Sequence, residues 1–163
     1  TKPAHNSRRS FFLGITKLGD AGIIWIFLTI LLLILPKMRK YGLAMLVGLC
    51  IDVIVCNGLL KNLVARTRPC DVNTAIQLLI SHPTDYSFPS GHTAASFTAV
   101  AALYFSGDKK IWKAAIVLGI LIAFSRMYLY VHYPTDILGG ALIGIFSGFV
   151  GAKIVCYIMK KGK

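Results

Sequence analysis

Eight residues in this sequence have the types and spacing to handle a strongly anionic group. Lys61, Arg68 and Arg126 supply three cations. An Arg offers a planar fork that matches phosphate oxygens, and a Lys offers a compact charge. Ser90 and Gly91 stand where a helix is predicted to start, and the free N–H groups of a helix start favour an anion. Gly91, without a Cβ, lets the backbone approach a ligand closely. Two histidines lie beside this cradle. His132 is followed by Asp136 four residues on, within reach across one helical turn, so the carboxylate fixes the ring tautomer and leaves the other nitrogen free to attack. His92 suits proton donation to a leaving oxygen. Together they form a cradle for a group with two or more negative charges, next to a nucleophile and an acid.

The elements that must position these residues are apolar. Of 163 residues, 56% are hydrophobic and 15% charged, against about a quarter charged in soluble domains. The mean hydropathy is +0.69. The apolar residues form long runs, which predicts an all-α integral membrane helical bundle in a single domain over 1–163. Five membrane helices are predicted, from Ala21 to Leu35, Gly42 to Leu60, Gly91 to Phe105, Trp112 to Tyr128 and Thr135 to Met159. Residues 1–20 are expected to form an interfacial helix, with Phe11, Phe12, Ile15 and Leu18 on one face.

Charge orients the bundle. The net charge is +12, with 18 Lys and Arg against six acidic residues, all Asp. The clusters Lys37–Arg39–Lys40, Lys109–Lys110–Lys113 and Lys160–Lys161–Lys163 fall on one side of five alternating spans, which the positive-inside rule makes the cytoplasm. The loop from Lys61 to Ser90 and the turn from Ser125 to Pro134 then share the extracytoplasmic face of a plasma membrane. A basic stretch split between two faces, with no aromatic interleaving, argues against nucleic acid as a partner.

Lys61 with six residues before Arg68-Pro69, then Pro89-Ser90-Gly91-His92, then Ser125-Arg126 with five residues before His132 and three more before Asp136, resembles the three-part signature of the type 2 phosphatidic acid phosphatase superfamily. The match spans residues 61–136. The resemblance implies that Lys61, Arg68 and Arg126 bind phosphoryl oxygens with help from Ser90 and Gly91. It implies that His132 forms a phosphohistidine, oriented by Asp136, while His92 protonates the leaving group and then activates water. Family members use no metal and no other cofactor; the chain agrees in having no Glu and no cluster of Asp. The family usually has six membrane helices, so an N-terminal helix is expected to be absent, shortened or trimmed from a sequence that starts at Thr1.

The expected substrate is a lipid phosphate or pyrophosphate, with undecaprenyl pyrophosphate first and phosphatidylglycerol phosphate or phosphatidic acid as alternatives. A vanadate-dependent haloperoxidase, which shares the cradle, and a non-enzymatic anion-binding or transport protein are the competing readings. The remaining polar residues have structural readings: Asp20 as a helix cap, Asp52 hydrogen-bonded to a neighbouring helix, and His82 with Asp85 in a solvated loop. Trp25, Tyr128, Tyr130 and Tyr133 read as interface aromatics, and the four cysteines, with no CxxC, as small apolar residues. Gly140, Gly144 and Gly148, four residues apart, mark a close helix contact, either within the chain or in a homodimer.

Overall fold

The computed structural model describes residues 3–161, with side chains described from Ser10 onward, residue 21 excepted. Among the described residues there are helices and loops but no strands. Helix α1 covers Pro3–Gly19, α2 Ile23–Ile34 and α3 Arg39–Asp52. The α3 rod continues as a π-helix over Val53–Leu60 and ends in α4, Lys61–Val64. A short turn of helix, α5, spans Pro69–Val72. Three helices complete the bundle: α6 Gly91–Phe105, α7 Ile111–Tyr128 and α8 Pro134–Lys161.

Among the described residues three stretches are long and apolar enough to cross a membrane: Pro36–Val72, Ile111–Tyr128 and Pro134–Lys161. Ser10–Gly19 and Ile23–Ile34, bent by 51° at their junction, would make a fourth if they act together. The third predicted span, α6, has only 15 residues and is the post around which the others stand. It is rich in small residues, and nine of its 15 residues are buried, Ala94, Ser96, Ala99 and Ala102 among them. Small side chains let α8 lie directly on it.

The glycines predicted to make a close contact do so inside the chain. A Cβ added to Gly140 would lie 2.6 Å from the Ser90 carbonyl oxygen, and Gly144 and Gly148 press equally hard on α6 backbone at Ala94 and Thr98. Gly151 meets the α3 backbone at Gly48 in the same way. The stripe is filled by α6 and α3, so these glycines serve a contact within the chain. Because this contact fixes α6 against the start of α8, it also fixes Ser90 and His92 relative to Asp136.

Two expectations are corrected. The first helix does not merely lie at an interface: Phe12 stacks on Tyr128 of α7 with ring centroids 4.3 Å apart, and Gly19 abuts Ile122 and His92. Trp25 is a core residue, 1% exposed, with its indole N–H donating to Ser96 Oγ at 3.0 Å. An indole pays for burial only with a hydrogen-bond partner, and Ser96 on the central post supplies it.

Candidate active site

The site is assembled at the end of the α3–α4 rod, the start of α6, the end of α7 and the start of α8. The rod carries Lys61 there in an unexpected way. Asp52 and Lys61 are nine residues apart, about 2.5 turns of α-helix, which would put them on opposite faces. The intervening π-helix is wider and unwinds that difference. Asp52, Asn57 and Lys61 consequently line one cavity of about 270 Å³, together with Gly91 and His92 of α6 and Asp85. Asp52 Oδ1 is buried without a hydrogen-bond partner among the described residues, so the expected bond to a neighbouring helix is not made. After Val64 the chain reverses through Ala65, at φ 46°, and Pro69 opens α5.

The histidine of the last motif is held tightly. His132 is 4% exposed, in the turn between α7 and α8. Its Nε2 lies 3.2 Å from an Arg68 guanidinium nitrogen. Arginine only donates, so Nε2 is the acceptor and the ring proton resides on Nδ1. Nδ1 lies 3.5 Å from Asp136 Oδ2 and has no closer polar partner among the described residues. Burial pushes the His132 imidazolium down to about 4, reinforced by Arg68 and Arg126 and opposed by Asp136. The ring is therefore neutral at pH 7.

Asp136 is buttressed from all sides. Its Oδ2 accepts from Ser87 Oγ and from the Tyr133 backbone N–H at 2.8 Å. Its Oδ1 accepts from Arg66 at 2.8 Å. Arg66 also donates to Thr135 Oγ1 at 2.6 Å and lies over the Tyr133 ring, 4.0 Å from its centroid. Tyr133 thus serves the site and is not simply an interface aromatic. Neither Arg66 nor Ser87 was singled out by spacing; Arg66 stands two residues before Arg68, where it reads as one more loop cation.

The cations are distributed around this pair. Arg68, 2% exposed, donates to the carbonyls of Val131 and Asp85, each at 2.8 Å, and to Asp85 Oδ1 at 2.6 Å. Lys61 Nζ contacts the other oxygen of the same carboxylate, Asp85 Oδ2. Arg126, 4% exposed, donates to Thr16 Oγ1 of α1 at 2.7 Å, and its Nε has no partner among the described residues. It faces a second cavity of about 740 Å³, whose wall includes Thr16, Asp20 and Asp85. Ser90 is fully buried, its Oγ accepting from Thr93 and its N–H donating to the Asp136 carbonyl. Gly91 is the member of that pair that faces the smaller cavity: a Cβ there would sit 3.2 Å from Asn57 Oδ1 and 3.9 Å from Lys61 Nζ.

His92, on the cavity wall, also has a carboxylate partner. Asp20, from the turn between α1 and α2, lies with Oδ1 2.9 Å from His92 Nε2. The expected cap is thus a long-range partner, 72 residues away in sequence. Asp85 is likewise no solvated bystander, since it bridges Lys61 and Arg68. His82 pairs instead with Asp71 at 2.7 Å. With Cys70 these two form a group of possible metal-ligand atoms within 4.8 Å of one another, outside the cradle, that sequence spacing did not show. The remaining cavity of interest is an apolar groove of about 440 Å³ between α2 and α3. It shares Ile26, Leu49 and Val53 with the His92 cavity, so the two lie side by side.

Comparison with known proteins finds relatives in both sequence and fold. The chain is 35% identical over 131 residues to an undecaprenyl-diphosphatase of Sulfolobus acidocaldarius, covering 80% of this chain and 63% of that one. Its fold is similar to the crystal structure of Aquifex aeolicus LpxE, with a TM-score of 0.76 and 31% identity over 94% of this chain and 88% of that one. It is also similar to a transmembrane phosphatidylglycerolphosphate phosphatase from Bacillus subtilis, with a TM-score of 0.71 and 28% identity over 100% and 80% of the two chains. Among the curated relatives it matches, the chain spans between about half and just under two thirds of the first three, at 63%, 49% and 62% of their lengths. The PAP2 superfamily pattern matches residues 41–160, which include every signature residue from Lys61 to Asp136, and the chain belongs to that superfamily.

Proposed function

We propose that this membrane protein is a phosphatase acting on a lipid phosphate or pyrophosphate through a phosphohistidine, without a metal. The observation that carries the reading is the setting of His132: a neutral imidazole with its proton toward Asp136 and its lone pair toward the phosphate-binding Arg68. In the first step Nε2 attacks phosphorus, a P–N bond forms and the bond to the leaving oxygen breaks. His92 delivers its proton to that oxygen. In the second step His92 takes a proton from water, water oxygen bonds to phosphorus, the P–N bond breaks and inorganic phosphate leaves. Lys61, Arg68 and Arg126 neutralise the phosphoryl oxygens, the role a metal plays elsewhere. Asp136 positions His132, and Asp20 positions His92.

The lipid chain runs in the apolar groove between α2 and α3, which adjoins the cavity holding His92 and Lys61. Undecaprenyl pyrophosphate is the first-choice substrate, supported by the relatives named undecaprenyl-diphosphatase. Phosphatidylglycerol phosphate is the second, supported by the Bacillus subtilis structure that aligns along the whole chain. The basic clusters at the other ends of the helices favour a plasma-membrane protein with its site extracytoplasmic. Phosphate release from purified protein in EDTA, on both lipids and on phosphatidic acid, tests this. Activity that survives EDTA and is lost in His132→Ala supports it. Dependence on a divalent ion, or persistence in the variant, refutes it.

A further inference from the structure

Asp85 lies where an anionic substrate group would have to be. Its two carboxylate oxygens divide between Lys61 Nζ and an Arg68 guanidinium nitrogen, as two oxygens of a phosphoryl group would. Both cations are buried, while the Asp85 side chain is 51% exposed, so the carboxylate reaches in from the solvent side. It lines both the cavity that contains His92 and the cavity that contains Arg126, and stands at their junction. His132 lines neither cavity. Its Nε2 is covered by the same guanidinium that grips Asp85, with one nitrogen on each.

The segment carrying Asp85 is built to hold it there. Leu78, Leu79 and Ile80 pack on Cys70, Leu129 and Val131, anchoring the loop upstream. Downstream, Ser87 donates its N–H to the Arg66 carbonyl and its hydroxyl to Asp136. Lys61 and Arg68 bonding outweighs partial burial and holds the Asp85 carboxyl down at about 2, so it is ionised whenever the enzyme is at neutral pH. A carboxylate and a phosphoryl group cannot share two cations at contact distance, because like charges repel most strongly where water is scarce.

We propose that Asp85 is an internal stand-in for the substrate's phosphoryl group: it occupies Lys61 and Arg68 before substrate binds, is displaced by the phosphoryl group, and returns to expel inorganic phosphate after hydrolysis. This rests on the phosphatase reading. It makes Asp85 a positioning residue that sets how tightly the cradle holds phosphate, with no part in bond making. While Asp85 is bound, Arg68 stays on His132 Nε2; when phosphoryl oxygens take over Arg68, the nucleophile is uncovered at phosphorus.

The test is binding of inorganic phosphate and of orthovanadate to the purified protein in detergent with EDTA, for wild type, Asp85→Asn and Asp85→Ser, alongside KM and kcat on the lipid substrate. The expected result is at least tenfold tighter phosphate and vanadate binding in both variants, a lower KM, and a kcat that falls as phosphate release becomes limiting. Unchanged or weaker phosphate binding would overturn the proposal, and would make Asp85 a counterion that merely shapes the cradle. Wild-type protein gives an independent reading should the variants fold poorly: hydrogen exchange at residues 84–87 should quicken when vanadate binds, and no change would contradict displacement. Loss of the phosphatase reading itself would show separately, as turnover that survives in His132→Ala.

Discussion

The two histidine–carboxylate pairs of this site are built on opposite plans. His132 and Asp136 sit four residues apart, both almost wholly buried, with Ser87, Arg66 and the Tyr133 N–H all bonded to the carboxylate. His92 and Asp20 come together from helices 72 residues apart, and the carboxylate is 53% exposed. The first pair is fixed, as a nucleophile must be if its lone pair is to meet phosphorus at one angle. The second stands on a cavity wall, where a group that must hand a proton to a leaving oxygen and take one from water needs access to both. In the proposed mechanism rigidity suits the attacking histidine and openness the proton carrier.

If the first pair is the fixed one, cutting its support should cost most. Asp136→Asn is expected to lower kcat by about 10²–10⁴-fold, since an amide no longer holds the ring proton on Nδ1. Activity within a few-fold of wild type would place the orienting group elsewhere.

Sharpening the roles requires separating attack from proton transfer. His92→Gln is expected to reduce turnover of a lipid phosphate by about 10²–10³-fold, but far less for nitrophenyl phosphate, whose leaving group needs no proton. Equal losses on both substrates would remove His92 from the acid role.

Asp20→Asn should cost about tenfold in kcat with little change in KM, and nothing further when added to His92→Gln, because the carboxylate acts only through that ring. Full additivity in the double variant would show that Asp20 acts independently.

The smallest effect is a titration. The folded pKa of His132 lies near 4, below the ordinary value near 6.5, so the unfolded chain takes up a proton first as pH falls. His132 therefore subtracts stability progressively between about pH 6.5 and 4, and Asp136→Asn should move its titration lower still, since Asp136 favours the charged ring. Nitrogen NMR of labelled histidine reads this directly, and a midpoint near 6.5 would show that the ring is not desolvated.

What spacing could reveal was the local half of the site. Lys61, Arg68, His132 and Asp136 are legible because each motif occupies a few turns whose geometry follows from the sequence. The helices around them follow from apolar runs, although the π-helix at Val53–Leu60 carries no sequence signal and rotates Asp52 onto the same cavity as Lys61. Asp20, Asp85, Arg66 and Thr16 were illegible for a different reason. Each reaches the site from a loop or turn whose path depends on distant packing: α1 on α7, and Leu78–Ile80 on Val131. The carboxylates of Asp20 and Asp85 read locally as a cap and a solvated loop group, because each has its partner far away in the chain.

The most direct test of the account is to trap the intermediate. Purified protein in EDTA is mixed with a lipid substrate carrying a labelled phosphoryl group, quenched in alkali, which preserves phosphohistidine, and mapped by peptide. The account predicts label on His132, more of it in His92→Gln, and none in His132→Ala. Label on another residue, or turnover in His132→Ala, would contradict it.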